Sequence, residues 1–276
     1  MTLSERNAFF KVGIAFSAVL TLLILAASFL IIPIYPEMDE NMPRPLKTFQ
    51  AITGYLIKSD YYAVHSSLGI SVLFSLVGII LIRFFFERTS APEILYIAIF
   101  TISFAFEALR LILPLQLIFN FPLLYVLLAF RILLFARFFC IFSLFAASIC
   151  AAGLEVQKTR NVIFVLVIAS LAITMGVPID VLNWDTSLNM VNGYSSMFRM
   201  IELIAFLTTM ASFLIAAKNR GSKEYNHVAI GIMAALAGRN ILLGTDNWIG
   251  PILGIILLAF GTCFLCSKLH KIHLWL

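Results

Sequence analysis

The sequence predicts an all-α protein, a polytopic bundle of eight transmembrane helices, on three observations. Hydrophobic residues make up 62% of its 276 positions and charged ones only 12%, where soluble domains run nearer one half and one quarter. Phenylalanine alone supplies 26 residues, more apolar surface than so few charges could screen from water. The apolar residues also fall in continuous runs of about 20, the length of a helix crossing a bilayer. A transmembrane barrel would show short alternating segments instead. A soluble enzyme, a nucleic-acid module and a disulfide scaffold are therefore excluded as readings of the whole chain.

The runs are Val12–Ile34, Leu68–Phe86, Ile94–Pro114, Leu123–Ala147, Val162–Val177, Tyr194–Ala217, Val228–Gly244 and Trp248–Ser267. Pro33 and Pro36 close the first, Pro114 the third and Pro178 the fifth, since proline removes a backbone donor. Gly244-Thr-Asp-Asn247 turns the last two into a helical hairpin. One kinked helix over 228–267 would be about twice the length needed.

Lysine and arginine set the orientation. Of the 19 basic residues, 11 fall in segments assigned to the cytoplasm: Arg6, Lys11, Arg83, Arg88, Lys158, Arg160, Lys218, Arg220, Lys223, Lys268 and Lys271. The opposite side holds Arg44, Lys47 and Lys58. Both termini are thus expected in the cytoplasm of a cell with the protein in its inner or plasma membrane. Residues 1–34 form the amino-terminal end and an uncleaved anchor helix, 35–67 an extracytoplasmic loop, 68–267 a seven-helix bundle and 268–276 a basic tail. Cleavage after the Ala26-Ala27-Ser28 stretch, which faintly imitates a signal peptide, would leave seven spans.

In the long outer loop Leu46, Phe49, Ile52 and Leu56 share one helical face, which predicts an interfacial helix. The second outer loop, Pro178–Gly193, carries Trp184, suited to an interface. The loops on the basic side are about ten residues or fewer and house no effector domain, so a cytoplasmic or membrane protein partner is expected. Cys140, Cys150, Cys263 and Cys266 lie in or beside apolar helices and read as packing residues. Gly231, Ala235 and Gly238, and Gly250, Gly254 and Gly261, line two helix faces and predict close helix packing.

Apart from Arg83 at the cytoplasmic end of the second run, seven charged residues fall inside the spans: Glu107, Arg110, Arg131, Arg137, Arg199, Glu202 and Arg239. Each costs roughly 2.5–3.5 kcal/mol at mid-bilayer by insertion scales, so it should face protein, water or a ligand. All but Arg137 are expected in the outer half, with Arg137 deeper and on another face than Arg131. Glu107/Arg110 and Arg199/Glu202 are i,i+3 pairs, each able to present both charges on one face. Two acids against four outer arginines leave a surplus of two positive charges, and guanidinium suits carboxylate or phosphate. The expected site is an outward pocket of Glu107, Arg110, Arg131, Arg199, Glu202, Arg239 and Asn240, with Asp246 and Asn247 at its rim. It would take an acidic small molecule or a lipid headgroup. The competing reading makes these residues interhelical ion pairs and arginines reaching the headgroups.

No cofactor is expected. His65 lies in the outer loop, His227 at a helix start and His270 and His273 in the tail, so a haem between two intramembrane histidines is improbable. The last two spans contain no lysine for a retinal Schiff base, and no phosphate-binding loop, zinc-protease or serine-hydrolase motif occurs. Asp180 and Asp185 have nothing placing them at a substrate. The protein is expected not to be an enzyme and not to bind nucleic acid.

With the first helix as an anchor, the Arg83-Phe-Phe-Phe-Glu-Arg88 turn leading to Tyr96 is one feature of a larger resemblance. The Arg/Phe-rich fourth span ending near Glu155–Arg160 and the polar turn Arg220–His227 before an Ala-rich span are the others. Together they resemble the membrane unit of bacterial seven-transmembrane sensors with diverse intracellular signalling modules. The layout covers about 200 residues and departs from that class in having 33 residues where a sensory domain normally stands and no module afterwards. The resemblance implies a receptor- or sensor-like unit that acts through a partner. The alternative is a transporter or lipid-handling protein, with Arg137 as a deeper station.

Overall fold

The computed structural model describes residues 3–35, 58–87, 89, 91–153, 159–178, 185–190, 195–219, 221–222 and 224–274. The expected interfacial helix and Trp184 lie outside these residues. Among the described residues eight helical segments are long and apolar enough to cross a membrane, and the fold is that of a multi-pass helical membrane protein. They are α1 (Leu3–Ile31), α2 (Tyr61–Phe86), a composite third span, α5 (Leu123–Ala152), α6 (Thr159–Gly176), α7 (Ser195–Asn219), α8 (Glu224–Gly244) and α9 (Ile249–Leu274). The third span consists of α3 (Pro92–Ser103), a 3-10 stretch (Phe104–Leu111) and α4 (Ile112–Phe119).

The helices alternate in direction between two ends of the bundle, here named after Arg6 and Trp248. Large apolar side chains such as Leu22, Phe29, Phe84, Leu124, Phe164 and Met200 face outward, while the serines Ser17, Ser67, Ser71 and Ser75 are buried. An apolar exterior around a core that is itself mostly apolar fits a hydrocarbon solvent. The third span is the axis of the bundle: 78% of its most apolar stretch is buried, against 22% for α1 and for α6.

Several boundaries differ from those read in the sequence, and each has a local cause. The second span starts at Tyr61, seven residues earlier than the apolar run, because the Asp60 carboxylate caps it by accepting from the Tyr62 amide at 2.9 Å. His65 therefore belongs to α2 and not to a loop. Pro114 does not end the third span. The 3-10 stretch restarts the α-helix at Ile112, so Pro114 falls in a first turn, where its missing amide costs little. The span continues to Phe119 and stops at Asn120, whose left-handed backbone (φ 47°) closes it.

The first helix is packed into the bundle as well. The buried Arg6 side chain donates to the carbonyls of Phe86 (2.7 Å), Glu87 (3.2 Å) and Thr89, satisfying the last carbonyls of α2. Ser17 and Ser75 share a hydrogen bond of 2.9 Å. At the other end Tyr35 and Ser28 hold the two ring nitrogens of His65, at 2.9 and 2.7 Å.

The backbones of α8 and α9 approach closely at their glycines. A Cβ placed on Gly238 would lie 2.4 Å from the Leu258 nitrogen, and one on Gly261 2.4 Å from the Ala235 nitrogen. The glycine faces are thus packing surfaces, and Gly244–Asn247 is a turn between two separate helices.

Candidate functional site

Six of the seven intramembrane charges fall into two groups joined by Arg239, and Arg131 stands apart. The interior group is organised by the 3-10 stretch. With three residues per turn, positions i and i+3 eclipse, so Glu107 and Arg110 project in one direction, with Arg110 Nη1 3.6 Å from Glu107 Oε2. From α5, Arg137 forks onto the same carboxylate, Nε to Oε1 at 2.8 Å and Nη2 to Oε2 at 2.7 Å. Glu107 and Arg110 are 2% and 1% exposed.

Above this group, toward the Trp248 end, residues 185–190 enter the bundle. Arg110 Nη2 donates to the Ser187 carbonyl and Nη1 to that of Leu243 at 3.5 Å. Arg137 Nη2 donates to Asn189 Oδ1 at 2.8 Å. The Asn189 amide nitrogen in turn donates to Ser187 Oγ at 2.8 Å and to the Leu243 carbonyl at 3.3 Å. The segment is closed by the Asp185 amide donating to the Asn189 carbonyl and the Leu188 amide to the Asp185 carbonyl, both at 2.9 Å. Leu188 is buried with φ 55°, a left-handed conformation that a bulky residue seldom adopts.

Asp246, between α8 and α9, ties three connections together. Its carboxylate accepts from the hydroxyls of Ser59 and of Thr186, the latter at 2.6 Å, and its carbonyl accepts from the Asp60 amide at 2.9 Å. Trp248 Nε1 donates to the Asp60 carboxylate at 2.8 Å. Partial burial pushes the Asp246 pKa up, but the two hydroxyls outweigh it and hold the carboxyl below its ordinary value.

The second group is peripheral. Arg239 of α8 is 4% exposed, with Nη2 3.8 Å from Glu202 Oε1 of α7, and its Nη1 donates to Asn240 Oδ1 at 3.0 Å. Nη2 also reaches the Arg137 carbonyl at 3.5 Å. Arg239 therefore touches both groups. Arg199, Glu202, Arg239 and Asn240 border a groove of about 360 Å³ between α7 and α8, whose other walls are apolar: Leu203, Phe206, Met233 and Leu236 among them.

Of the residues singled out in the sequence, Glu107 and Arg110 thus join the interior group, and Arg199, Glu202, Arg239 and Asn240 join the groove. Arg131 belongs to neither. It donates to the Thr174 carbonyl at 3.1 Å, near the end of α6. Arg137, set apart in the sequence as deeper, is the principal partner of Glu107. Both i,i+3 pairs share a face, Glu107 with Arg110 at 3.6 Å and Arg199 with Glu202 on the groove, and Glu202 also meets Arg239 across two helices.

The sequence contained the signal for Arg137. Residues 107 and 137 are equidistant from Pro122, so an antiparallel hairpin turning there brings them to one depth. Ser187 and Asn189 carried no comparable signal. A larger groove, about 470 Å³, runs between α2 and α9 past Cys263 and Cys266; only Thr101, Thr262, Ser267 and His270 add polarity besides those thiols. It offers an anion no arginine or lysine. Compared with protein-family models, curated proteins and solved structures, the chain matches none.

Proposed function

We propose that the protein is a receptor- or sensor-like membrane unit, and that its ligand is an anionic amphiphile bound sideways in the groove between α7 and α8. The carrying observation is the position of Arg239. It lines the groove with Arg199 and Asn240, and its guanidinium also meets the backbone of the helix that holds Arg137. An acidic headgroup at Arg199 and Arg239 would compete with Glu202, while the acyl part would lie along Phe206, Met233 and Leu236. Guanidinium pairs strongly with carboxylate and phosphate when both are drawn out of water.

Any shift of Arg239 is felt at the Arg137 carbonyl, and through Arg137 at the 3-10 stretch. In the proposed orientation the Trp248 end is extracytoplasmic and both termini are cytoplasmic, so a partner would read the movement at the Arg6 end. Between the interior charges and that end the third span is packed by Ile94, Ile97, Phe100 and Phe104 among other buried apolar residues. That packing favours a receptor over a transporter, which needs a polar route at this depth.

Native mass spectrometry of gently solubilised protein tests the reading. Wild type retains an anionic lipid that Arg199→Gln and Ala237→Trp both lose, whereas Arg131→Gln keeps it. An adduct that persists in both folded groove variants overturns the proposal.

A further inference from the structure

A second site lies beneath residues 185–190. We propose that this segment is a plug seated in an oxyanion site formed by Arg110 and Arg137, which a carboxylate or phosphate group entering from the Trp248 end takes over when the plug withdraws.

Four observations support it. Two guanidiniums share the single carboxylate in contact with them, that of Glu107, in a group 1–2% exposed at Glu107 and Arg110; the plug's Asp185 and the groove's Glu202 act on them electrostatically but make no ion-pair contact. Other donors are met by neutral oxygens, the plug's Ser187 carbonyl and Asn189 side-chain oxygen and the Leu243 carbonyl. A charged oxygen satisfies such donors better than a dipole does, because it adds a bidentate ion pair to bonds that the guanidinium charge alone already assists. Arg110 Nε is buried with no hydrogen-bond partner among the described residues. An oxyanion replacing the Ser187 carbonyl would meet Nη2 and Nε side by side, in the fork for which guanidinium is built. Apart from Arg110, Arg137 and the Leu243 carbonyl, the plug is held at its edges, by Thr186 on Asp246 and by Leu188 and Met190 against Val64, Val126 and Phe130 among others. Leu188 keeps its left-handed backbone only while seated there.

This site is separate from the α7–α8 groove. The groove opens sideways past Leu203 and Met233 and selects an amphiphile. The plugged site faces the bundle end and is closed by backbone, which suits a small acid or a phosphate ester. A lipid headgroup drawn in from the side carries the same chemistry, so the test separates the two sources.

The experiment reads plug withdrawal directly. Ser187→Cys protein in phosphatidylcholine nanodiscs is treated with a polar maleimide, the wild-type signal being subtracted. Ser187 is 2% exposed, so labelling is slow at rest. Adding inorganic phosphate or succinate accelerates it about tenfold or more, potassium chloride at matched ionic strength does not, and Arg110→Gln abolishes the acceleration.

Acceleration by phosphatidylglycerol nanodiscs alone keeps the site and assigns its oxyanion to a headgroup. Labelling indifferent to all three anions, or raised equally by chloride, overturns the proposal. Met190→Cys replaces Ser187→Cys if the latter does not fold. Arg110→Lys, which keeps the charge and loses the fork, replaces Arg110→Gln on the same ground and must blunt the response.

Discussion

Glu107 and Arg137 meet through two parallel hydrogen bonds of 2.8 and 2.7 Å, half-way along the two helical spans that form the centre of the bundle. Each residue reaches the other because the hairpin at Pro122 is nearly symmetrical about them. Glu107 also carries Arg110, and Arg137 also carries Asn189, so this pair is where the third span, α5 and the plug are joined.

Breaking that pair on one side strands buried charge. Glu107→Gln leaves two guanidiniums with no carboxylate and costs on the order of 3–5 kcal/mol, whereas Glu107→Leu combined with Arg137→Leu costs much less. Thermal unfolding in detergent of the single and double variants checks the order. A double variant weaker than Glu107→Gln would contradict it.

The α8–α9 contact has no room for a methyl group. Gly238→Ala puts its Cβ 2.4 Å from the Leu258 backbone nitrogen and 2.8 Å from the Gly254 carbonyl oxygen, and backbone cannot rotate away as a side chain can. The helices must separate, at a cost of roughly 1–3 kcal/mol. Gly244→Ala, where a Cβ would meet nothing within 4 Å, is the control with no steric clash. Comparable melting of the two variants would refute the close-packing account.

Asp246 gives the Trp248 end an acid-sensitive tie. Its pKa is lowered in the folded protein, so its contribution is complete above the ordinary carboxylate value of about 4 and is lost as pH falls through the lower folded value. Wild type should therefore outlast Asp246→Asn at pH 7, and the gap should shrink as pH drops below about 4. A gap that widens on acidification gives the opposite sign and excludes this linkage.

Arg6 holds α1 against the end of α2. Arg6→Ala orphans carbonyls at Phe86 and Glu87 and should cost about 1–3 kcal/mol. Arg6→Lys recovers part of that, since an ammonium supplies donors without the planar fork. Limited proteolysis around residues 3–12 checks the effect, with cleavage fastest in the alanine variant. Equal rates in all three proteins would assign Arg6 no role in docking α1.

Helix number and most of the packing were legible in the sequence, because span length, proline punctuation and small-residue faces are local or periodic properties. The α8–α9 hairpin follows from four residues, and its glycine contacts from spacing alone. Partnerships between charges were less legible. Depth within a span can be counted, but rotation about the helix axis cannot once the third span changes its period from 3.6 to 3 residues per turn at Phe104. That change joins Glu107 to Arg137 and leaves Arg131 with α6. Pro114 misled for the same reason, since a restarted helix tolerates proline where a continuous one would not. Ser187 and Asn189 act through a loop whose path into the bundle has no period at all.

The 3-10 stretch also stores length. A 3-10 helix rises about 2.0 Å per residue and an α-helix about 1.5 Å, so the eight residues Phe104–Leu111 span about 4 Å more than they would when wound as α-helix. Rewinding them would pull the Asn120 turn inward by that amount and screw α4 round relative to α3. Glu107 and Arg110 sit on the thread of that screw. Shortening the span and turning Glu107 away from Arg137 would thus be one change, so the length of the axial helix and its ion pair are set by the same eight residues.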